Sequence, residues 1–431
     1  MCDGSFRARP AIRLTARVSS PASPLPAGRP IRWPLVLVLA SLGAVAPVAT
    51  DLYLPGLPAM GESLDAGPSA VQLTLTAFLV GLAFGQLFMG PLSDHYGRRR
   101  PLVVSATVCV AAGLVCATAP TLPVLLAGRL LQGFAGAGGM VIGRALIADL
   151  VTGRAAAKAF TLMITVGGVA PVLAPLVGSL LADPVGWRGM LWTVAGLCVV
   201  MLLGVLLVVP ETHPVEARAA HREASPLGGI REVLGIRAYR RQIGVSALSF
   251  AVLMGYISSS PFVYQNVVGL SEVEYGVAFG LNAAGLIGAG WVTSRLVDRW
   301  SPGRVLRLAI SVQLVAVVAY VLLAVSGAPT WLLPVPIFVA VASNGGIMGN
   351  SSALAMSLVR RVAGAGSAVL GFSTFAVGAL VSPLVGLGGK DSAVVPALVM
   401  AGACTLSFTL SRLAGAAEAQ SRSSSSAIAT S

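Results

Sequence analysis

Two charged side chains stand inside long apolar runs, and they are the residues of this chain best placed to do chemistry. Asp51 sits in A-T-D-L-Y-L-P-G-L-P, behind an unbroken apolar stretch. Counted from Trp33 at ~1.5 Å per residue, it lies about 27 Å along a helix. A carboxylate at that depth is costly unless a water-filled cleft reaches it, and desolvation favours its protonated form. Such a group can exchange protons near neutral pH; the other reading is an interfacial acid at the helix end. Arg129 sits in G-R-L-L-Q-G-F-A-G-A-G-G. Arg129, Gln132, Gly133 and Gly136 fall at i, i+3, i+4 and i+7, on one helical face. Arginine keeps its charge, so it needs a carboxylate, a carbonyl or water. Asp51 and Arg129 are therefore the candidate proton-coupling residues, with a structural arginine bound to carbonyls as the alternative. Arg144, four turns further on, reads as structural or gating.

Weaker signals surround these two. The run G-G-V-A-P-V-L-A-P-L-V-G places Gly167, Pro171, Pro175 and Gly178 on one face. Small residues there allow close helix approach, and two prolines four apart can bend a helix. The run Y-I-S-S-S-P-F-V-Y-Q-N offers Tyr256, Ser259, Phe262 and Tyr264. Phe279 and Asn282, Asn344, and Gln86 lie in other apolar runs. Together they suit a large, weakly polar pocket for a small molecule, although core packing explains each one equally well. Residues 90–101 read G-P-L-S-D-H-Y-G-R-R-R-P between two apolar runs. Gly90 permits close backbone approach, Gly97 a tight turn, and Asp94 and Arg98 can bridge neighbouring helix ends. Asp149, at the end of the run that contains Arg129, is placed to pair with Arg98. No catalytic residue, metal-ligand spacing or cofactor site emerges: there is no G-x-x-x-x-G-K-[ST] and no Ser-His-Asp arrangement on one side. An enzyme is not expected.

The elements that must position these residues are membrane spans. The 431 residues are 56% hydrophobic and 10% charged, with a mean hydropathy of +0.85; soluble domains carry about 25% charged residues. Twelve apolar runs are long enough to span a bilayer: 34–54, 71–92, 102–119, 122–141, 160–181, 189–209, 243–264, 275–296, 305–325, 331–350, 367–387 and 394–413. The net charge of +13 does not indicate nucleic acid. If the spans alternate, 25 of the 29 Lys and Arg fall on one side. That asymmetry places both termini in the cytoplasm. Residues 1–33 read as a disordered basic tail and 414–431 as a disordered cytoplasmic tail. A cytoplasmic linker, 211–242, divides a six-helix half at 34–210 from another at 243–413, with a short surface helix expected at 230–239. Asp298-Arg299 and Gly303-Arg304 weakly echo the 90–101 loop after the eighth span.

The 90–101 loop resembles motif A of the major facilitator superfamily, and the Arg129 run resembles its motif B. The proline pair resembles motif C, with Ala170-Pro171 and Ala174-Pro175 where Gly-Pro is usual. A-T-D-L-Y-L-P, the proline pair and the serine-proline run are similar to those of the Bcr/CflA-type drug:proton antiporters. The resemblance implies an all-α membrane protein of twelve transmembrane helices in two six-helix halves. It also implies a monomer in the bacterial inner membrane whose partners are protons, the lipid bilayer and a drug-like amphiphile, with no nucleic acid. The 90–101 loop would latch a cytoplasmic gate, and Arg129 would bias Asp51 towards its charged form during export by alternating access. A proton-coupled nutrient importer of the same fold, or a non-transporting membrane receptor or scaffold, stays open.

Overall fold

The computed structural model describes residues 33–151, 153–212 and 226–429. The tail before Trp33 and the middle of the linker lie outside the described residues. Every regular element among those described is helical. Among the described residues, eleven helical stretches are long and apolar enough to cross a membrane. One of them, Lys158–Val208, is 51 residues long, and it breaks at Gly186, where φ is +63°. Its two arms bring the crossings to twelve, as the apolar runs predict.

We number the long helices α1 (Trp33–Asp51), α2 (Pro68–Tyr96), α3 (Arg99–Thr118), α4 (Leu122–Leu150), α5 (153–185) and α6 (187–208). The second six are α7 (Arg237–Pro261), α8 (Glu272–Leu296), α9 (Pro302–Val325), α10 (Pro334–Ser357), α11 (Ala363–Val385) and α12 (Val394–Ala429). Three boundaries differ from the sequence expectation. α1 stops at Asp51, short of residue 54, and a 3-10 turn at Leu54–Gly56 and a short helix at Leu57–Ser63 follow. Pro55 has no N–H to continue the ladder and disfavours helical backbone at Leu54. The surface helix before α7 runs Pro226–Gly235, earlier than expected. α12 stays helical past residue 413, where a tail was expected to begin.

Within each half, the tightest packing is backbone against backbone. A Cβ added at Gly81 of α2 would strike the Leu130 carbonyl of α4, and one at Gly133 of α4 would strike the Phe78 carbonyl of α2. The second half repeats the device: a Cβ at Gly345 of α10 would strike the Leu286 carbonyl of α8 and lie 2.8 Å from the Gly290 nitrogen. Lipid supplies no hydrophobic drive for helices to associate, so such close approach does that job. α2 against α4 is thus matched by α8 against α10, as expected of a duplicated six-helix unit.

The halves meet along two seams, α2 with α11 and α5 with α8. Their hydrogen bonds gather at the end of the bundle away from the 90–101 loop, here called the far end. Ser69 and Thr76 of α2 donate to the Pro383 and Ala379 carbonyls, each at 3.0 Å. Ser382 donates back to the Gln72 carbonyl at 3.2 Å, and the Gln72 amide donates to Ser258 of α7 at 2.9 Å. Residues 69, 72 and 76 share one face of α2. At the loop end, no hydrogen bond joins the halves among the described residues; Phe84 packs edge-on against Phe372 at 5.5 Å.

Substituting Gly81 or Gly133 by Val should cost about 1–3 kcal/mol through overpacking. Gly402→Ala, where an added Cβ meets nothing within 4 Å, should be neutral. Thermal melting of the detergent-solubilised protein checks this: equal melting points for all three would contradict the packing account.

Candidate functional site

A cavity of about 290 Å³ lies between the halves. The first half contributes Pro47, Thr50 and Asp51 of α1 with Phe78 of α2. The second contributes Phe250 and Tyr256 of α7, Phe279 of α8 and Phe375 of α11. Tyr256 stacks on Phe279 with centroids 5.3 Å apart. Asp51 is 3% exposed, and its one hydrogen-bond donor among the described residues is a neighbour on its own helix. The Thr50 hydroxyl lies 2.9 Å from Oδ1 and 3.0 Å from the Ala46 and Pro47 carbonyls, so a single proton serves three acceptors. Asp51 belongs to no ion pair among the described residues. A carboxylate in this setting has little to hold its charge except water, a proton or a ligand.

Of the acceptors the sequence left open for Arg129, the structure supplies a backbone carbonyl and a side-chain amide. Arg129 is fully buried, and it donates to the Ala49 carbonyl at 2.8 Å and to Gln132 Oε1 at 2.7 Å. Its guanidinium lies 4.6 Å from the ring centroids of both Tyr53 and Phe78. The Ala49 carbonyl belongs to the last turn of α1, where carbonyls lack intrahelical donors. The same chain break that ends α1 beside Asp51 therefore frees the acceptor that Arg129 uses. The direct pairing with Asp51 is not formed.

The cavity gathers only part of the expected pocket. Tyr256 and Phe279 line it, as do Gly167 and Pro171 of α5. Gln86 is buried beside it, its amide 3.9 Å from the Met140 sulfur. The Ser259 hydroxyl instead turns back to the Gly255 carbonyl of its own helix at 2.6 Å. Tyr264 and Asn282 bond each other at 3.1 Å. Phe262 lines a separate surface cavity at the far end, with Glu62, Asp65 and Lys390. Asn344 is buried with neither amide atom bonded. Gly178 does packing work, since a Cβ there would strike the Leu52 carbonyl. Phe78, Phe250, Phe375 and the methionines 140, 254 and 348 line the cavity without having been singled out. In an apolar span, an apolar residue facing a cavity reads like one facing a neighbour. Thr50, adjacent to Asp51, was the one legible omission.

At the loop end Arg98 meets Asp94 and Asp149. Arg98 donates from Nε to Asp149 at 3.0 Å and from Nη1 to Ser93 at 2.8 Å and to Asp94. Burial opposes the Arg98 charge, but the Asp149 and Asp94 carboxylates more than offset it and raise its pKa above the ordinary value. Gly97, at φ +90°, makes the reversal that brings Arg98 back onto α2. Two partners went unrecognised in the sequence. Glu211 accepts the backbone N–H groups of Arg98 and Arg99 at 2.9 and 3.2 Å, at a helix start where N–H groups are free and a negative charge is favoured. The Thr212 hydroxyl donates to Asp149 at 3.1 Å. An acid directly after the end of a span, in P-E-T, was the available signal. All these groups belong to the first half or to the two linker residues that directly follow it. Gly90 is roomier than its place in the loop suggested, with Val141 3.9 Å from an added Cβ. Arg144 of α4 is exposed one turn beyond Met140 and unpaired among the described residues.

Comparison with known proteins agrees with this architecture. The family model of the Major Facilitator Superfamily matches residues 39–383. The chain is 32% identical over 371 residues to the uncharacterized MFS-type transporter YdgK of Bacillus subtilis, covering 85% of this chain and 91% of that protein. It is 29% identical over 377 residues to a bicyclomycin resistance protein homolog of Haemophilus influenzae, covering 86% and 93%. It is 30% identical over 237 residues to the multidrug resistance protein MdtL of Salmonella typhi, covering 55% and 60%. The fold matches the nucleoside transporter NupG with a TM-score of 0.70 at 14% identity, covering 89% of this chain and 99% of that one. It matches a D-xylose-proton symporter with a TM-score of 0.68 at 14% identity, covering 88% and 97%. These relatives are consistent with the Bcr/CflA-type resemblance read from the motifs. The chain is a multi-pass membrane protein that belongs to the major facilitator superfamily, a family of transporters and not of enzymes.

Proposed function

We propose that this transporter exports drug-like amphipathic molecules in exchange for protons. The observation that carries the reading is Asp51: an acid without an ion-pair partner in the wall of an otherwise largely apolar cavity between two halves. A proton and a bound ligand satisfy the same carboxylate, so each disfavours the other. That competition is what exchange requires. The relatives named for bicyclomycin and multidrug resistance support drugs as the substrate class.

The halves, tied at the far end by the α2–α11 seam, represent the state closed on that side. With the loop end in the cytoplasm, as the distribution of Lys and Arg favours, this is the inward-facing carrier. Drug enters from the cytoplasm and displaces the proton from Asp51. The far-end bonds then break as the halves rock. On the outside a proton returns to Asp51 and drug leaves. The Arg98 network holds the ends of α2, α3, α4 and α6 together, so the first half moves as one body. Arg129 acts from behind the wall, fixing α1 so that Asp51 faces the cavity. The working unit is a monomer in the bacterial inner membrane with both termini cytoplasmic.

Proteoliposomes with an imposed proton gradient, tested against cationic, neutral and zwitterionic drugs, decide the reading. Gradient-driven drug movement opposite to the proton flux supports it; movement in the same direction as the proton would make the protein a symporter. Asp51→Asn should abolish gradient-driven exchange and bind drug more weakly than the wild type, and wild-type rates in that variant would remove Asp51 from the mechanism. Arg129→Gln should lower both the melting temperature and the exchange rate, because a buried carbonyl loses a charged donor worth about 1.5–3 kcal/mol. A variant that melts like wild type yet transports nothing would instead give Arg129 a direct role in proton transfer.

A further inference from the structure

An unbalanced concentration of charge lies away from the cavity, where the linker enters α7. The helix begins R-A-Y-R-R-Q-I. Arg237, Arg240 and Arg241 stand at i, i+3 and i+4 on one face, while Tyr239, Gln242 and Ile243 are buried. The Tyr239 hydroxyl donates to the Gly366 carbonyl at 2.6 Å and fixes that orientation. Arg237 and Arg240 are exposed and make no hydrogen bond or ion pair among the described residues. Arg241 reaches only the Leu413 carbonyl, at 3.4 Å.

Among the described residues, nothing nearby balances these charges. The first turn of α7 has no acid and no side-chain cap. Cations there oppose the helix dipole and repel one another at i, i+3 and i+4. The preceding helix, Pro226–Gly235, packs Val233 into a cluster with Tyr239, Ile243, Ala355, Val359 and Val369. It presents a further exposed arginine, Arg231. Its one acid, Glu232, is engaged by Arg361 at 2.8 Å. The patch also has a defined depth. α7 opens a membrane-crossing stretch, Arg237–Val268, so its first turn lies at the level of the lipid headgroups.

We propose that this arginine face binds the phosphates of anionic phospholipids. The guanidinium fork matches a phosphate diester in two-bond geometry, and basic residues beside a span are attracted to anionic headgroups. A lipid held there pins the end of the linker and the start of α7 to the bilayer surface. The second half then keeps a fixed reference in the membrane while the halves rock. This inference rests on the membrane fold alone and does not depend on what the cavity carries.

Native mass spectrometry of the full chain tests it, with dioleoyl-phosphatidylglycerol and dioleoyl-phosphatidylcholine as probes. Phosphatidylglycerol should be retained roughly tenfold better. The triple variant Arg237→Gln, Arg240→Gln, Arg241→Gln should lose that preference, and the corresponding triple Lys variant should keep part of it. Equal retention of the two lipids, or an unchanged preference in the Gln variant, would overturn the proposal. So would full displacement by excess inorganic phosphate, which would mark a free-anion site. Should the Gln variant fail to fold, a photoactivatable phosphatidylglycerol on the unmodified protein decides: label on the peptide containing residues 237–241 supports the site, and label only elsewhere rejects it.

Discussion

The bond from Arg129 to the Ala49 carbonyl is the interaction around which the first half is arranged. A guanidinium cannot shed its charge inside a membrane, so the fold must supply acceptors. It does so by ending α1 early. Pro55 stops the helical ladder, the last turn of α1 leaves carbonyls without donors, and Arg129 of α4 takes one of them. Tyr53 and Phe78 each place a ring centroid 4.6 Å from the charge. Three helices, α1, α2 and α4, are joined in this way at one depth. Asp51, two residues beyond Ala49, is left on the cavity side with Thr50 as its donor. One chain break thus gives the buried cation a carbonyl acceptor and leaves the buried acid available.

The remaining architecture keeps that arrangement rigid while letting it move as a block. Glycine contacts bring α2 onto α4, and α8 onto α10, at backbone distance. The Arg98 network fastens four helix ends of the first half to one another and to none of the second. The hydrogen bonds between halves are of another kind: hydroxyls reaching single carbonyls across the α2–α11 seam, and the Gln72 amide reaching one of α7. Each such bond is individually modest. A seam of this sort can open and close, while the interior of each half stays intact.

The sequence showed much of this and missed a definable part. The twelve crossings were legible because lipid demands long apolar runs, and the break at Gly186 fell between two of them. The Arg98–Asp149 pair was legible because charged residues at helix ends are few. Arg129 was legible, and a carbonyl was among its possible acceptors, but which carbonyl was not legible. A backbone carbonyl carries no signature of its own, and only the termination of α1 reveals that it is free. The cavity was the least legible feature. Ser259, Tyr264 and Asn282 looked like pocket residues because polar groups stand out in apolar spans, yet they spend their hydrogen bonds within the bundle. Phe250 and Phe375, which face the cavity, looked like packing. Glu211 was overlooked because its partners are backbone N–H groups at the start of α3.

The central claim is that proton and drug compete for Asp51. It is tested most directly by adding a transported drug to purified protein in weak buffer and counting the protons set free. The account expects a release approaching one proton per drug bound, near the pH at which Asp51 is occupied, and none from Asp51→Asn. Drug binding without proton release, or an equal release from the Asn variant, would contradict it.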